Sequence, residues 1–117
     1  MRALVVDDNK INLMVAKKSI QPLFDVVDEA LSGKDCIDLV NKNKYDIILM
    51  DIMMPEMDGV ETLHKLKEID GFETPVMAVT ADAEAGAEDR YLSEGFVAYV
   101  TKPFTPDSIK ERIKEFV

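Results

Sequence analysis

The chain has 117 residues, which is enough for a hydrophobic core of its own, and we expect residues 1–117 to form one domain. Its composition, 47% hydrophobic and 32% charged, is that of a soluble globular protein. A net charge of −9 argues against direct binding to nucleic acid or to an anionic membrane surface. One cysteine cannot form an internal disulfide, and no stretch approaches the ~20 apolar residues of a membrane span, so we expect a cytoplasmic protein without membrane insertion.

Short apolar runs alternate with amphipathic stretches along the chain. The apolar runs predict strands at 3–6, 25–30, 47–50, 76–80 and 98–101. The amphipathic stretches predict helices at 10–20, 33–43, about 60–69, about 83–94 and 106–116. This alternation predicts an α/β fold with a parallel sheet, helices on both faces and right-handed crossovers. The first, third and fourth runs are the most apolar and should be central, which favours the strand order 2-1-3-4-5.

Polar residues suited to chemistry stand at the ends of four predicted strands. Asp7 and Asp8 follow the first strand, and Asp51 follows the third. Thr80 ends the fourth strand and Lys102 follows the fifth. Open α/β sheets bind ligands at the carboxyl ends of their strands where the strand order reverses, here between the first and third strands. The sequence therefore predicts that the three aspartates flank one crevice.

Three carboxylates packed together repel one another, and a divalent cation relieves that repulsion. Because the ligands are all oxygens, the site suits Mg²⁺ or Mn²⁺ rather than zinc. Asp7 and Asp8 can hold the metal while Asp51 attacks phosphorus as a nucleophile. The transition state of phosphoryl transfer spreads negative charge over three oxygens, and the cation, Lys102 and the Thr80 hydroxyl can each stabilise one of them.

Each of these features has an ordinary structural explanation when it is taken alone. Asp7-Asp8-Asn9 can be a turn with a helix cap, Thr80 a strand end, and Lys102-Pro103 a loop. Their joint placement after separate strands of one alternating pattern favours the phosphoryl site instead.

Four segments carry a resemblance to a known family. They are Val6-Asp7-Asp8-Asn9, Met50-Asp51-Ile52-Met53-Met54-Pro55-Glu56-Met57-Asp58-Gly59, Val79-Thr80-Ala81 and Tyr99-Val100-Thr101-Lys102-Pro103-Phe104. In these segments, and over essentially its whole length, the chain resembles the receiver domain of two-component response regulators. The resemblance implies a flavodoxin-like, doubly wound (βα)5 fold.

The resemblance also implies a phosphorylation site. Asp51 would accept a phosphoryl group from a histidine kinase or a histidine phosphotransfer protein. Asp8, Asp51 and the backbone carbonyl of Met53 would hold Mg²⁺, and Asp7 would help through a water molecule. Such a protein is not an enzyme in the usual sense, because it catalyses only its own phosphoryl transfer and slow dephosphorylation.

A conformational switch is the third implication of the resemblance. Thr80 would move to bond the phosphoryl group and the ring of Tyr99 would turn inward, with the small Ala81 leaving room for it. The surface formed by the fourth helix, the fifth strand and the fifth helix would then change its affinity for a downstream protein target. A cis peptide bond is expected between Lys102 and Pro103.

The family suggests that the phosphodonor docks on the first turns of the first helix and on the loop before the last helix. The residues at these positions are Ile11, Asn12, Val15 and Phe104. An apolar patch with a polar rim would suit a transient interface. The alternative is that Ile11 and Val15, which recur with Met14 at helical spacing, belong to the core.

Other functions fit the sequence less well. A phosphatase of the haloacid dehalogenase type carries a second acid two residues after its nucleophile, where this chain has Met53. A flavin-binding electron carrier needs a Ser/Thr/Gly-rich phosphate loop in place of Asp7-Asp8-Asn9. Within the receiver class, the chain is either a free-standing regulator or a module excised from a hybrid histidine kinase. Met53 cannot position a hydrolytic water, whereas Asp82 could position or repel one.

Overall fold

The computed structural model describes residues 1–117 as a sheet covered by helices on both faces. The strands are β1 (Arg2–Val6), β2 (Val26–Ala30), β3 (Ile47–Asp51), β4 (Val76–Thr80) and β5 (Ala98–Thr101). The helices are α1 (Lys10–Ile20), α2 (Gly33–Lys42), α3 (Gly59–Lys67), α4 (Ala87–Glu94) and α5 (Pro106–Lys114), with a 3₁₀ turn at Gln21–Leu23. None of these helices is both long and apolar enough to cross a membrane.

All strand pairs are parallel, and the order is β2-β1-β3-β4-β5, as the apolar runs predicted. The switch point therefore lies between β1 and β3. The register pairs Val6 of β1 with Met50 of β3, so Asp7, just after β1, and Asp51, the last residue of β3, follow side by side at the carboxyl edge of the sheet.

Alternate residues of the central strands point into two separate hydrophobic cores, one on each face of the sheet. Leu4 of β1 and Ile48 of β3 pack with side chains of α2, α3 and α4 on one face. Val5 and Leu49 point to the opposite face and pack with side chains of α1 and α5. Because both faces are covered, the central strands read as continuous apolar runs rather than alternating ones.

Helix α1 has the predicted bounds but buries a different face from the one suggested by Ile11, Met14 and Val15. Its buried apolar residues are Leu13, Ala16 and Ile20. Ile11 is 67% exposed, and Met14 and Val15 are also exposed. The alternative that placed Ile11 and Val15 in the core is therefore wrong, because the other stripe of the helix faces the sheet.

Helix α4 is shorter than predicted and begins at Ala87 rather than near Ala83. Gly86 precedes it with a φ of 84°, a left-handed conformation in which glycine avoids the steric cost of a Cβ. The Asp82 side chain also accepts a hydrogen bond from the backbone N–H of Glu84 at 3.0 Å, which favours a turn over a helix. Residues 81–86 therefore form a loop between β4 and α4.

Candidate functional site

The carboxyl ends of β1 and β3 bring three acidic side chains together. Carboxylate oxygens of Asp7, Asp8 and Asp51 all lie within 4.8 Å of one another. Asp7 and Asp51 are only 5% and 4% exposed, whereas Asp8 is open to solvent. The crevice predicted from the strand order therefore exists, with one acid at its mouth and two inside it.

Lys102, directly after β5, supplies the positive charge of the crevice. Its ammonium donates to Asp7 Oδ2 at 2.9 Å and to Asp51 Oδ1 at 3.1 Å. Burial lowers the pKa of Lys102, but the hydrogen bonds to the two carboxylates outweigh it and raise the pKa overall. The lysine is therefore firmly charged. Its peptide bond to Pro103 is cis.

The Asp51 carboxyl group is difficult to ionise. Burial and, after it, the charge of Asp7 raise its pKa to about 6, against the lowering effect of Lys102 and the Met53 backbone N–H. The negative charge of the crevice is thus only partly neutralised by the protein. A carboxylate in such a place is stabilised by a nearby cation.

The Asp7-Asp8-Asn9 segment serves structure and site together. Asp7 Oδ1 accepts a hydrogen bond from the Asn9 backbone N–H at 2.9 Å. The Asn9 side chain in turn caps α1 by accepting from the N–H groups of Ile11 and Asn12 at 2.9 and 3.0 Å. The cap and the acidic crevice are therefore both real, and Asp7 is oriented by the same turn that starts the helix.

The loop after Asp51 stays close to the crevice because Gly59 begins α3. A Cβ at Gly59 would lie 2.5 Å from the backbone oxygen of Asp51 and 2.9 Å from Cα of Ile52. Met53 is 72% exposed, so its side chain does not close the site. Its carbonyl oxygen as a metal ligand stays a prediction.

Thr80 and Tyr99 are linked through Asp82. Thr80 is fully buried, and its Oγ1 accepts from the Asp82 backbone N–H at 3.2 Å. The Tyr99 hydroxyl donates to the Asp82 carbonyl oxygen. The Tyr99 ring stacks on Tyr91 of α4 with centroids 5.7 Å apart and an interplanar angle of 18°, so it lies against α4 rather than in solvent.

The part played by Asp82 was not predicted from sequence, where only a contact with water was considered. Its carboxylate accepts from Arg90 and from the Tyr91 hydroxyl, the latter at 3.2 Å, and does not stand free beside Asp51. The available signal was an acid two residues after Thr80 with Arg90 and Tyr91 in the next helix. The sequence separation of Asp82 from Arg90 and Tyr91 does not show that they are in contact. The contact exists because the loop of residues 81–86 places α4 next to the end of β4.

Three of the four predicted docking residues, Asn12, Val15 and Phe104, line a cavity that reaches the crevice, and Ile11 lies outside its lining. Ile11, Asn12 and Val15 are exposed on α1, and Phe104 is half-buried beyond Pro103. A cavity of about 130 Å³ runs between α1 and the segment before α5. Its lining includes Asn12, Val15, Phe104, Asp51 and Lys102. The acidic crevice therefore opens beside an apolar surface.

Comparison with known proteins identifies the family. The model of the response regulator receiver domain matches residues 3–114. The chain is 34% identical over 115 residues to the polar-differentiation response regulator DivK of Brucella anthropi, covering 97% of this chain and 94% of that protein. The receiver domain of the Francisella response regulator 1452 superposes with a TM-score of 0.88 at 31% identity, covering 98% of this chain and 94% of that one. The chain belongs to the response regulator receiver domain family and is a receiver domain of two-component systems.

The chain also resembles parts of much larger proteins. It is 28% identical to the probable histidine kinase 1 of Oryza sativa subsp. indica over 99% of its own length, but it spans only 15% of that protein. Relatives of both kinds, regulators and histidine kinases, thus contain this unit.

Proposed function

We propose that the protein accepts a phosphoryl group on Asp51 from a phosphohistidine of a histidine kinase or phosphotransfer protein. A carboxylate oxygen of Asp51 attacks phosphorus, and the bond from phosphorus to the donor imidazole breaks. The electron pair of that bond stays on the imidazole nitrogen, and the product is an aspartyl phosphate. The observation that carries the proposal is the pair of buried carboxylates, Asp7 and Asp51, bridged by the Lys102 ammonium at 2.9 and 3.1 Å.

The donor set fits a divalent cation. Oxygens of three carboxylates lie within 4.8 Å of one another, and hard oxygen ligands suit Mg²⁺ or Mn²⁺. Asp8 and Asp51 with the Met53 carbonyl would hold the ion, with Asp7 acting through water. When bound, the cation neutralises charge on the oxygens of the phosphoryl group.

The remaining groups have separate tasks. The Lys102 ammonium donates hydrogen bonds to Asp7 and to an oxygen of Asp51. It is therefore placed to stabilise the negative charge of a phosphoryl group attached to Asp51. Thr80 Oγ1 accepts from Asp82 N–H and keeps its own proton for a phosphoryl oxygen, with the Ala81 backbone beside it. The protein catalyses this transfer to itself and the slow hydrolysis of the aspartyl phosphate to aspartate and inorganic phosphate, and no reaction on another substrate.

Two surfaces of the protein would bind the phosphodonor and the downstream target. The apolar patch of Ile11 and Val15, next to Asn12 and Phe104, borders the opening through which a donor histidine reaches Asp51. The downstream protein target binds at α4, β5 and α5, where Tyr99 lies. We place the protein in the cytoplasm, in keeping with its free, buried Cys36.

The test is incubation with acetyl phosphate and Mg²⁺, followed by intact-mass and peptide mass spectrometry. One phosphoryl group should appear on Asp51, depend on Mg²⁺ and be released by hydroxylamine. Asp51→Asn should stay unmodified, while Asp46→Asn, which changes an acid just before the opposite end of β3, should react like the wild type. Modification of another residue, or equal modification without a divalent cation, would refute the proposal.

A further inference from the structure

Asp82 is the most connected polar residue outside the acidic crevice. Its Oδ1 accepts from the Glu84 N–H at 3.0 Å, and its Oδ2 accepts from the Arg90 guanidinium and from the Tyr91 hydroxyl. The hydrogen bond from Glu84, followed by those from Tyr91 and Arg90, holds the pKa of this carboxyl below its usual range. The Arg90 guanidinium also lies over the Tyr91 ring, 5.1 Å from its centroid. Two adjacent residues of α4 therefore hydrogen-bond the Asp82 carboxylate and contact each other.

The backbone of Asp82 is engaged at the same time. Its N–H donates to Thr80 Oγ1 and its carbonyl accepts from the Tyr99 hydroxyl. One residue therefore joins three parts of the molecule, namely the end of β4, the first turns of α4 and the middle of β5. A shift of α4 that moves the carboxylate must also move the partners of Thr80 and Tyr99.

We propose that Asp82 is a positioning residue whose carboxylate, clamped by Arg90 and Tyr91, presets Thr80 and Tyr99 in the arrangement that receives the phosphoryl group. The inference rests on the proposed function of Asp51. The Asp82 N–H occupies a lone pair of Thr80 Oγ1 and thereby aims the hydroxyl proton elsewhere. The Asp82 carbonyl accepts from the Tyr99 hydroxyl while the Tyr99 ring stacks on Tyr91, so the same residue also fixes the position of this ring.

The consequence is a shift of population rather than a change of chemistry. If the clamp favours the competent arrangement, its removal lowers the fraction of molecules in that arrangement, and the apparent affinity for a phosphoryl group falls by the same factor. A charge-assisted hydrogen bond at a half-exposed site corresponds to about a three- to tenfold effect.

The test uses beryllofluoride with Mg²⁺ as a phosphoryl mimic and the whole chain. Arg90→Met and Tyr91→Phe should each bind the mimic about three- to tenfold more weakly than the wild type, and Arg90→Lys should recover part of the loss. The matched control is Arg112→Met, which removes another exposed arginine, one paired with Glu115 at 2.7 Å on α5, and should bind like the wild type.

A spectroscopic signature separates positioning from mere folding. Stacking on Tyr91 displaces the ring proton resonances of Tyr99, and without any ligand these should move toward unstacked values in Arg90→Met. Arg90 is half exposed and Tyr91→Phe keeps the buried ring, so both variants should fold, which thermal melting will verify. Combining Asp82→Asn with Arg90→Met should add little to either change alone.

The outcomes are distinct. A wild type that does not bind beryllofluoride refutes the proposed function itself. A wild type that binds, with Arg90→Met and Tyr91→Phe binding equally well and the Tyr99 resonances unmoved, refutes the clamp alone. Additive losses in the Asp82→Asn, Arg90→Met double variant would also overturn the pairing on which the clamp depends.

Discussion

The two ends of the sheet differ in how their charged side chains are paired and in how far these side chains are buried. Near the amino ends of β1 and β3, the Tyr45 hydroxyl donates to Asp28 at 2.7 Å, and the Arg2 guanidinium donates to Asn43 at 2.6 Å and lies 3.9 Å from Asp28. There the Asp28 carboxylate is matched by one guanidinium and one hydroxyl, and the Asp46 carboxylate accepts from the Arg2 backbone N–H at 2.7 Å. At the carboxyl ends, the same strands present three carboxylates to a single ammonium.

This difference separates a structural network from a functional site. Matched charges with satisfied hydrogen bonds hold elements together and have no need of a further partner. Burial and, after it, the charge of Asp7 raise the pKa of Asp51 to about 6, and a further cation would stabilise the ionised carboxylates of this site. Four variants test whether the two ends differ in this way.

The largest effect is expected at Lys102. Lys102→Met should slow phosphorylation of Asp51 by acetyl phosphate about 100-fold, because the preorganised cation for the transferred group is lost. The same variant should bind Mg²⁺ more tightly than the wild type, since the ammonium competes with the metal for Asp7 and Asp51. Isothermal titration and single-turnover kinetics measure the two effects. An unchanged Mg²⁺ affinity would contradict the charge argument.

Asp51→Asn should stabilise the metal-free protein by about 3 kcal/mol at pH 7. The folded-state pKa of Asp51 is raised from 3.8 to about 6, so the folded chain holds this proton more tightly than the unfolded chain. Ionisation of Asp51 therefore costs stability as the pH rises from about 4 to about 6 and costs nothing more above that.

Urea unfolding at several pH values checks this prediction. The stability difference between Asp51→Asn and wild type should grow across that pH window and then stay level. Saturating Mg²⁺ should shrink it, because the cation stabilises only the folded wild type. A difference that falls with rising pH would show that the sign is wrong.

Gly59→Ala should lower the free energy of unfolding of the protein by about 1–3 kcal/mol, because the new Cβ would clash with backbone atoms of Asp51 and Ile52 that cannot rotate away. It should also slow phosphorylation, because the displaced backbone is that of Asp51 itself. Gly71→Ala is the control: its Cβ meets open space, and only the φ of 78° opposes it, which costs about 1 kcal/mol and leaves phosphorylation intact.

Tyr45→Phe tests the amino end and should have the smallest effect. Loss of the hydroxyl that donates to Asp28 should cost about 1–2 kcal/mol of unfolding free energy. Phosphorylation and Mg²⁺ binding should be unchanged within error. A change in the phosphorylation rate or in the Mg²⁺ affinity would mean that the two ends of the sheet are energetically coupled.

Local sequence signals were reliable where one physical effect dominates. The apolar runs identified the strands and the central position of β1, β3 and β4, because only strands buried on both faces need to be apolar throughout. They failed for the inner face of α1 and for the start of α4. In α1 two apolar stripes compete, and in the loop before α4 the Asp82 turn and Gly86 outweigh helical propensity.

The sequence by itself determined the order of the elements, the family and which acids leave the sheet at its carboxyl edge. The tertiary structure alone decided which of those acids is buried, that Lys102 reaches two of them, and that Asp82 is held by α4 rather than free beside the acceptor. The reason is that periodicity and strand ends are properties of neighbouring residues. Desolvation, ion pairing and the pKa of Asp51 instead depend on side chains separated by up to 95 positions, which only the packed fold brings together.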